Sequence, residues 1–226
     1  MTSAQLDRGT PILLVPLGSI EQHGPHLPLD TDIRIATAVA AAAAELLGDG
    51  VLVAPPLPYG AAGEHQGFPG TISIGTEALS RLLVEYGRSA CDWAARLVFV
   101  NGHGGNLDAL RTGVTLLRTE GRDVAWCACS ATGADAHAGH TETSLLLHLR
   151  PDLVRTAAIA PGSTEPLEAV LPRLRDGGIA AVSPTGVLGD PTTASASAGE
   201  RIFAEMVAGC VDRILRWQPA TGGVLS

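Results

Sequence analysis

The sequence predicts an α/β fold, with one domain over residues 1–226 built on a mostly parallel sheet covered by helices on both faces. Three observations lead there. Four short runs are apolar without alternation, as strands buried on both faces must be. Amphipathic helical patterns separate these runs, and no internal repeat or linker-like break interrupts the series. A chain of 226 residues, 46% hydrophobic and 17% charged, can also bury a large core.

The first run, "PILLVPLGS", reads as a buried strand passing into a loop, and a helical pattern follows over 31–47. "VLVAPPLPYG" is a second strand ended by prolines, followed by a helix over 76–95. "RLVFVNG", β-branched and apolar, is a third; it runs straight into "HGGN" and a helix over 107–120. "DVAWCACSA" is the fourth, with helices over 141–149 and 194–217 beyond it. The segment 150–190, rich in Pro and Gly, is expected to be irregular, a flap or an interface.

Composition narrows the function. A net charge of −8 with no basic stripe argues against nucleic acid or an acidic membrane surface as partner. All 15 basic residues are arginine, which excludes Schiff-base chemistry, a lysine base and a P-loop. The first ten residues lack the pattern of a secretory leader. The Ala-rich "IATAVAAAAAELLG" is short and flanked by charge, a packed helix and not a membrane span, so a cytoplasmic protein is expected. Cys91, Cys127, Cys129 and Cys210 are spread along the chain, with only Cys127 and Cys129 two apart, and include no CxxC, which suits reduced thiols better than a zinc site.

The stretch "LGSIEQHGPHLPLDTD" concentrates Glu21, His23, His26, Asp30 and Asp32 in a segment that proline and glycine keep from being helical. Glu21 and His23, two apart on extended chain, point the same way. Asp32 opens a helix, where exposed N–H groups favour a carboxylate. His103 follows the third strand between glycines, and Glu142 sits in the first turn of the helix beyond the fourth. Loops after the strands of a parallel sheet gather at one edge, where ligands bind. Two histidines and three carboxylates there suit a pair of divalent ions such as Fe²⁺, Zn²⁺ or Mn²⁺, with Asp32 as the bridge. Such pairs activate a water against a carbonyl, and amide hydrolysis then needs a proton for the leaving nitrogen. His137 is the candidate donor. Each signal alone has a plainer reading: Asp32 and Glu142 as helix caps, "NGHGGN" as an ordinary turn, the ExH pair as solvated loop. The joint pattern carries the argument.

"LGSIEQHGPHLPLDTD", "GEHQGFPGTISIG", "FVNGHGGN", "HAGHTETSLLLHLRPDLV" and "GVLGDPTTAS" resemble, in that order, the creatininase family of metal-dependent amidohydrolases. The resemblance implies a three-layer α/β/α fold, two divalent metals per subunit and a homo-oligomer, often a hexamer. It implies that Glu21, Asp32 and His103 hold one metal, and His23 with the bridging Asp32 the second. Creatininases proper carry an aromatic residue and a glutamate where this chain has Gly104 and Gly105, which puts creatinine in doubt as substrate. Glu142 is the expected replacement ligand. Glu64 and His65 are expected to line the substrate channel, with packing or a subunit contact as the alternative, and His26 and His140 to orient ligands.

"YGAAGEHQGFPGTISIGTEAL" and "LLVEYGRSA" are most similar to the branch of the family that serves mycofactocin biosynthesis. That resemblance implies a peptidase acting on a modified precursor peptide. It would hydrolyse the bond before a decarboxylated, crosslinked C-terminal Val-Tyr pair and release that dipeptide. The rival expectations are an amidohydrolase of a small cyclic amide or formamide, creatininase-like or formamidopyrimidine deformylase-like, and a non-catalytic metal-binding scaffold.

Overall fold

Strands β1 (Ile12–Leu17) and β3 (Arg96–Asn101) lie side by side at the centre of the sheet, each buried at every residue but its first. β2 (Val51–Val53) flanks β1 and β4 (Val124–Ala128) flanks β3, giving the all-parallel order β2-β1-β3-β4. The structure is a computed structural model that describes Thr2, Leu6 and residues 11–226. The absence of a leader pattern therefore concerns residues lying mostly outside the described ones.

Alternation along the strands sends side chains to two separate cores. Leu14, Val98, Val100 and Cys127 face α1 (Thr31–Leu47), α4 (His140–Leu149) and α6 (Ala196–Arg216), meeting Val39, Leu145 and Val207. Leu13, Val15, Leu97 and Phe99 face α2 (Thr76–Ala90) and α3 (Leu107–Thr119), meeting Leu79, Leu83 and Leu110. The result is three layers, α/β/α. Each fully buried Leu or Phe contributes about 1.5–3 kcal/mol relative to exposure.

Two segments differ from expectation. The helix expected over 76–95 ends at Ala90, because the Ala95 N–H is drawn to the Pro11 carbonyl (2.9 Å) as the chain enters β3. Within 150–190 the chain forms a further helix, α5 (Leu167–Gly177), despite Pro172. Proline there deletes one helical hydrogen bond, to the carbonyl of the exposed Glu168, while Val170, 2% exposed, anchors the helix. Among the described residues no helix is long and apolar enough to cross a membrane.

The start of α1 is pressed against the carboxyl ends of the two central strands. A Cβ at Gly18 would stand 2.7 Å from the Ile33 nitrogen, and one at Gly102 would stand 2.5 Å from the Asp32 carbonyl oxygen. Only glycine at both strand ends lets Asp32 approach so closely.

Candidate metal centre

From β1 the chain crosses to β2 on one side and to β3 on the other, so the crevice beyond β1 and β3 is a topological switch point. Glu21 and His23 enter it from the loop after β1, Asp32 from the first turn of α1, His103 from the loop after β3 and Glu142 from the first turn of α4. Three overlapping groups form there, each with ligand atoms within 4.8 Å of one another: Glu21, Asp32 and His103; His23, Asp32 and Glu142; Glu21, His23 and His137. Asp32 belongs to the first two. Glu21 and His23 are wholly buried.

The histidines share one arrangement. His23 donates from Nδ1 to the Glu21 carbonyl (3.1 Å), turning Nε2 toward Asp32 Oδ1 (3.0 Å) and Glu142 Oε2 (3.7 Å). His103 donates from Nε2 to the Ala61 carbonyl (3.2 Å), leaving Nδ1 at 3.1 Å from Glu21 Oε2 and 3.3 Å from Asp32 Oδ2. His137 donates from Nε2 to the Gln22 carbonyl (2.8 Å), with Nδ1 at 3.7 Å from Glu21 Oε1. A carbonyl can only accept, so each outward nitrogen carries a proton, and on a neutral ring the inward one presents a lone pair to a carboxylate. Both Glu21 oxygens and Asp32 Oδ2 are buried without a hydrogen bond, the nearby ring nitrogens being out of line. Lone pairs facing lone pairs in a buried site call for positive charge between them. Imidazole nitrogens and carboxylate oxygens are the donors that borderline-to-hard divalent ions take, and outward N–H bonds to backbone carbonyls are the usual support of metal-binding histidines. The residues fit a metal centre.

The electrostatics agree. Burial, and then the charge of Asp32, push the Glu21 carboxyl up to about 7. Burial also opposes ionisation of Asp32, but His23 and His103 outweigh it and hold that carboxyl well below the usual range. Burial disfavours charge on His23 and His103, yet their carboxylate neighbours raise both well above the ordinary imidazole value, so positive charge, a proton or a metal ion, is drawn to the space between those rings and the carboxylates. His137 is lowered to about 4 and His65 to about 2, by burial first and by neighbouring imidazoles second. His65 and His137 are thus neutral at pH 7.

A cavity of about 760 Å³ opens beside the cluster, walled by His65, His137 and Glu142 and, from α5, by Leu171 and Leu174. The segment expected as a flap or an interface thus contributes a helix to the cavity wall. Glu64 also lines it, with Oε1 3.5 Å from His103 Nε2, and His65 Nε2 lies 3.2 Å from Glu21 Oε1. His26 pairs through Nε2 with Thr143 Oγ1 (2.8 Å), on the residue next to Glu142. His140 does not orient a ligand as expected: its ring pairs with Thr193 Oγ1 (2.8 Å). Sequence reasoning missed two supports. Asn101 donates to the His103 carbonyl (2.7 Å), and Asn106 donates to Asn101 Oδ1 and to the Gly18 carbonyl, both at 3.1 Å. The signal was present, since these asparagines bracket the histidine in "NGHGGN". The other is Gln22, between Glu21 and His23.

A three-layer α/β/α fold with a carboxylate–histidine cluster at its switch point defines a class of metal-dependent hydrolases, and the chain belongs to one family of it, the creatininase family. The family's sequence profile, described as creatinine amidohydrolase, matches residues 1–214. A mycofactocin precursor peptide peptidase of Mycolicibacterium smegmatis is 63% identical over 229 residues, covering 100% of this chain and 93% of its own. A solved structure named creatininase Mn superposes with a TM-score of 0.76 at 30% identity, over 94% of this chain and 93% of that one. A mutant creatininase of Zn-Zn type gives 0.76 at 30% identity, over 94% and 92%.

Proposed function

We propose that the chain is a dinuclear-metal peptidase of mycofactocin biosynthesis, hydrolysing the peptide bond that frees the modified C-terminal Val-Tyr dipeptide of a precursor peptide. The observation that carries this reading is the convergence of three buried carboxylate oxygens without hydrogen bonds, on Glu21 and Asp32, and inward imidazole nitrogens beside a cavity. The end-to-end likeness to a peptidase of that name supports the choice of substrate. Glu21, Asp32 and His103 would hold one ion and His23, Asp32 and Glu142 the other, with Fe²⁺, Zn²⁺ or Mn²⁺ all suited to the donors. Bound there, the ions would supply the positive charge that polarises the scissile carbonyl and acidifies water.

The chain's own residues do the rest. His137, neutral and with the Nδ1 lone pair facing the cluster, takes a proton from the water that attacks the carbonyl carbon. It returns that proton to the leaving nitrogen as the C–N bond breaks, so the products are a carboxylic acid and an amine. Leu171 and Leu174 pack against the substrate's apolar groups and exclude water. Gly104 puts no side chain into this wall, and a Cβ there would meet nothing within 4 Å, leaving room for a substrate larger than creatinine. The proposal includes a homo-oligomer, as the family resemblance implies, in the cytoplasm, as the sequence pattern leads one to expect.

The test is incubation of the purified protein, loaded with Fe²⁺ or Zn²⁺, with the crosslinked precursor peptide, followed by mass spectrometry. Loss of the modified dipeptide is expected. An unchanged peptide mass in both metals would overturn the reading, and hydrolysis of creatinine or a formamide in its place would favour the small-amide alternative.

A further inference from the structure

We infer that Gln22 is a positioning residue that sets two active-site histidines in opposite roles, His65 as an N–H donor and His137 as a lone-pair acceptor. The inference rests on the proposed hydrolysis only for its kinetic consequence. Its ground is a count of hydrogens. The Gln22 amide is oriented by the Gly24 N–H, which donates to Oε1 (2.9 Å), so Nε2 is the atom that faces inward. Three atoms surround that nitrogen: His65 Nδ1 at 2.9 Å, His137 Nε2 at 3.0 Å and the Gly186 carbonyl oxygen at 3.2 Å. His137 Nε2 already donates to the Gln22 backbone carbonyl at 2.8 Å, so it carries a hydrogen and cannot accept another. The two amide hydrogens are left with two acceptors, the Gly186 carbonyl and His65 Nδ1.

Both tautomers follow. With Nδ1 accepting, neutral His65 carries its proton on Nε2, which lies 3.2 Å from Glu21 Oε1 at the edge of the cavity. His137, bonded outward through Nε2, keeps a bare Nδ1 on the side of Glu21 and His23. One residue therefore grips both rings, His65 through its side-chain amide and His137 through its main-chain carbonyl.

The clamp is fixed from outside. The Gln22 N–H donates to Thr71 Oγ1 (3.0 Å), and a Cβ at Gly186, where φ is +81°, would stand 1.9 Å from Gln22 Oε1. Gly186 thus gives Gln22 its space as well as accepting one of its hydrogens. A hydrolysis that needs a proton taken up and returned at one imidazole requires that ring to face the water with its lone pair. A neighbouring ring with an N–H in the same cavity can instead hold a developing oxyanion.

The experiment is nitrogen–proton correlation spectroscopy of ¹⁵N-histidine-labelled protein, both zinc-loaded and chelator-treated, together with steady-state cleavage of the precursor peptide. The wild type is expected to show His65 protonated on Nε2 and His137 protonated on Nε2. Protonation of His65 on Nδ1 would overturn the inference without any variant. Gln22→Glu replaces two donors by acceptors, so the His65 proton should move to Nδ1 and kcat should fall about 10-fold or more with KM little changed. Should that variant fail to fold, Gly186→Ala displaces the amide without removing it and should also free the His65 tautomer. An unchanged His65 tautomer in either folded variant would refute the clamp. Tautomers are read whether or not the peptide is cut, so failure of the peptidase reading and failure of this inference are separate results.

Discussion

His23 Nε2 lies 3.0 Å from Asp32 Oδ1, while the other nitrogen of the same ring is tied to the Glu21 carbonyl. The ring cannot turn away, so the carboxylate and imidazole are held face to face whether or not an ion lies between them. Asp32 stands in two of the three ligand groups, with one oxygen toward His23 and the other toward His103. Asp32→Asn should therefore affect both ions at once. Bound metal, measured by plasma mass spectrometry after dialysis, should fall from about two ions per chain toward none, and peptide cleavage by at least about 100-fold. Retention of two ions by a folded Asp32→Asn protein would exclude a shared ligand.

Glu142 belongs to one group only, and its Oε2 also accepts from the Ala138 N–H (2.6 Å). Glu142→Gln keeps the shape and removes the charge. The variant should retain one ion and lose about one, with a weakened second site appearing as an approximately 10–100-fold higher metal requirement for activity. Two ions bound with undiminished affinity would take Glu142 out of the ligand set.

The thiols separate metal chemistry from cysteine chemistry. Cys127 and Cys210 are buried with their sulfurs 3.6 Å apart, and that contact, then burial, pushes the Cys127 thiol far up; burial does the same to Cys129. Little thiolate exists on Cys127 or Cys129 at pH 8 to react. Iodoacetamide should leave the activity of the native protein intact, and peptide mapping should find Cys127 and Cys129 labelled only after unfolding. A chelator should abolish activity, and Zn²⁺ or Fe²⁺ should restore it. Alkylation-sensitive, chelator-resistant cleavage would contradict the proposed mechanism.

How much of this is legible in the chain depends on distance along it. β1 and β3 are uninterrupted apolar runs, and their parallel pairing follows from the helices between them. Glu21, His23 and Asp32 lie within twelve residues of one another, so their shared pocket could be reasoned from local geometry. α5 was hidden because Pro172 and the glycines around it suppress the helical signal, and Val170 reveals its buried face only once packed. Gln22 was hidden for a stronger reason. Its partners His65, His137 and Gly186 lie 43, 115 and 164 residues away, and a hydrogen-bond count needs all of them in place. His140 misled because it opens the same helix turn that carries Glu142, while its ring leaves toward Thr193.

Gly105 marks where this chain parts from creatininases proper, and the space there is already filled. A Cβ at Gly105 would stand 2.3 Å from the Ala61 carbonyl oxygen, 2.5 Å from Glu64 Oε1 and 2.5 Å from His103 Nε2. The first is backbone and cannot swing aside, and the last belongs to a candidate ligand. The Glu64 carboxylate occupies the place a side chain from Gly105 would enter. Gly105→Ala should therefore shift the Ala61 carbonyl that His103 depends on, costing about 1–3 kcal/mol in urea unfolding. Metal affinity should fall with it, by about 10-fold or more. Gly105→Glu should lower peptide cleavage further and confer no creatinine hydrolysis, because the added carboxylate meets Glu64 and a backbone oxygen before it meets an ion. Pairing it with Glu64→Gly clears only the side-chain obstacle, so the double variant should recover part of the lost metal and none of the lost stability at Ala61. A stable, fully metallated Gly105→Glu protein would show that the Ala61 segment yields, and that the difference between the two kinds of site is not steric.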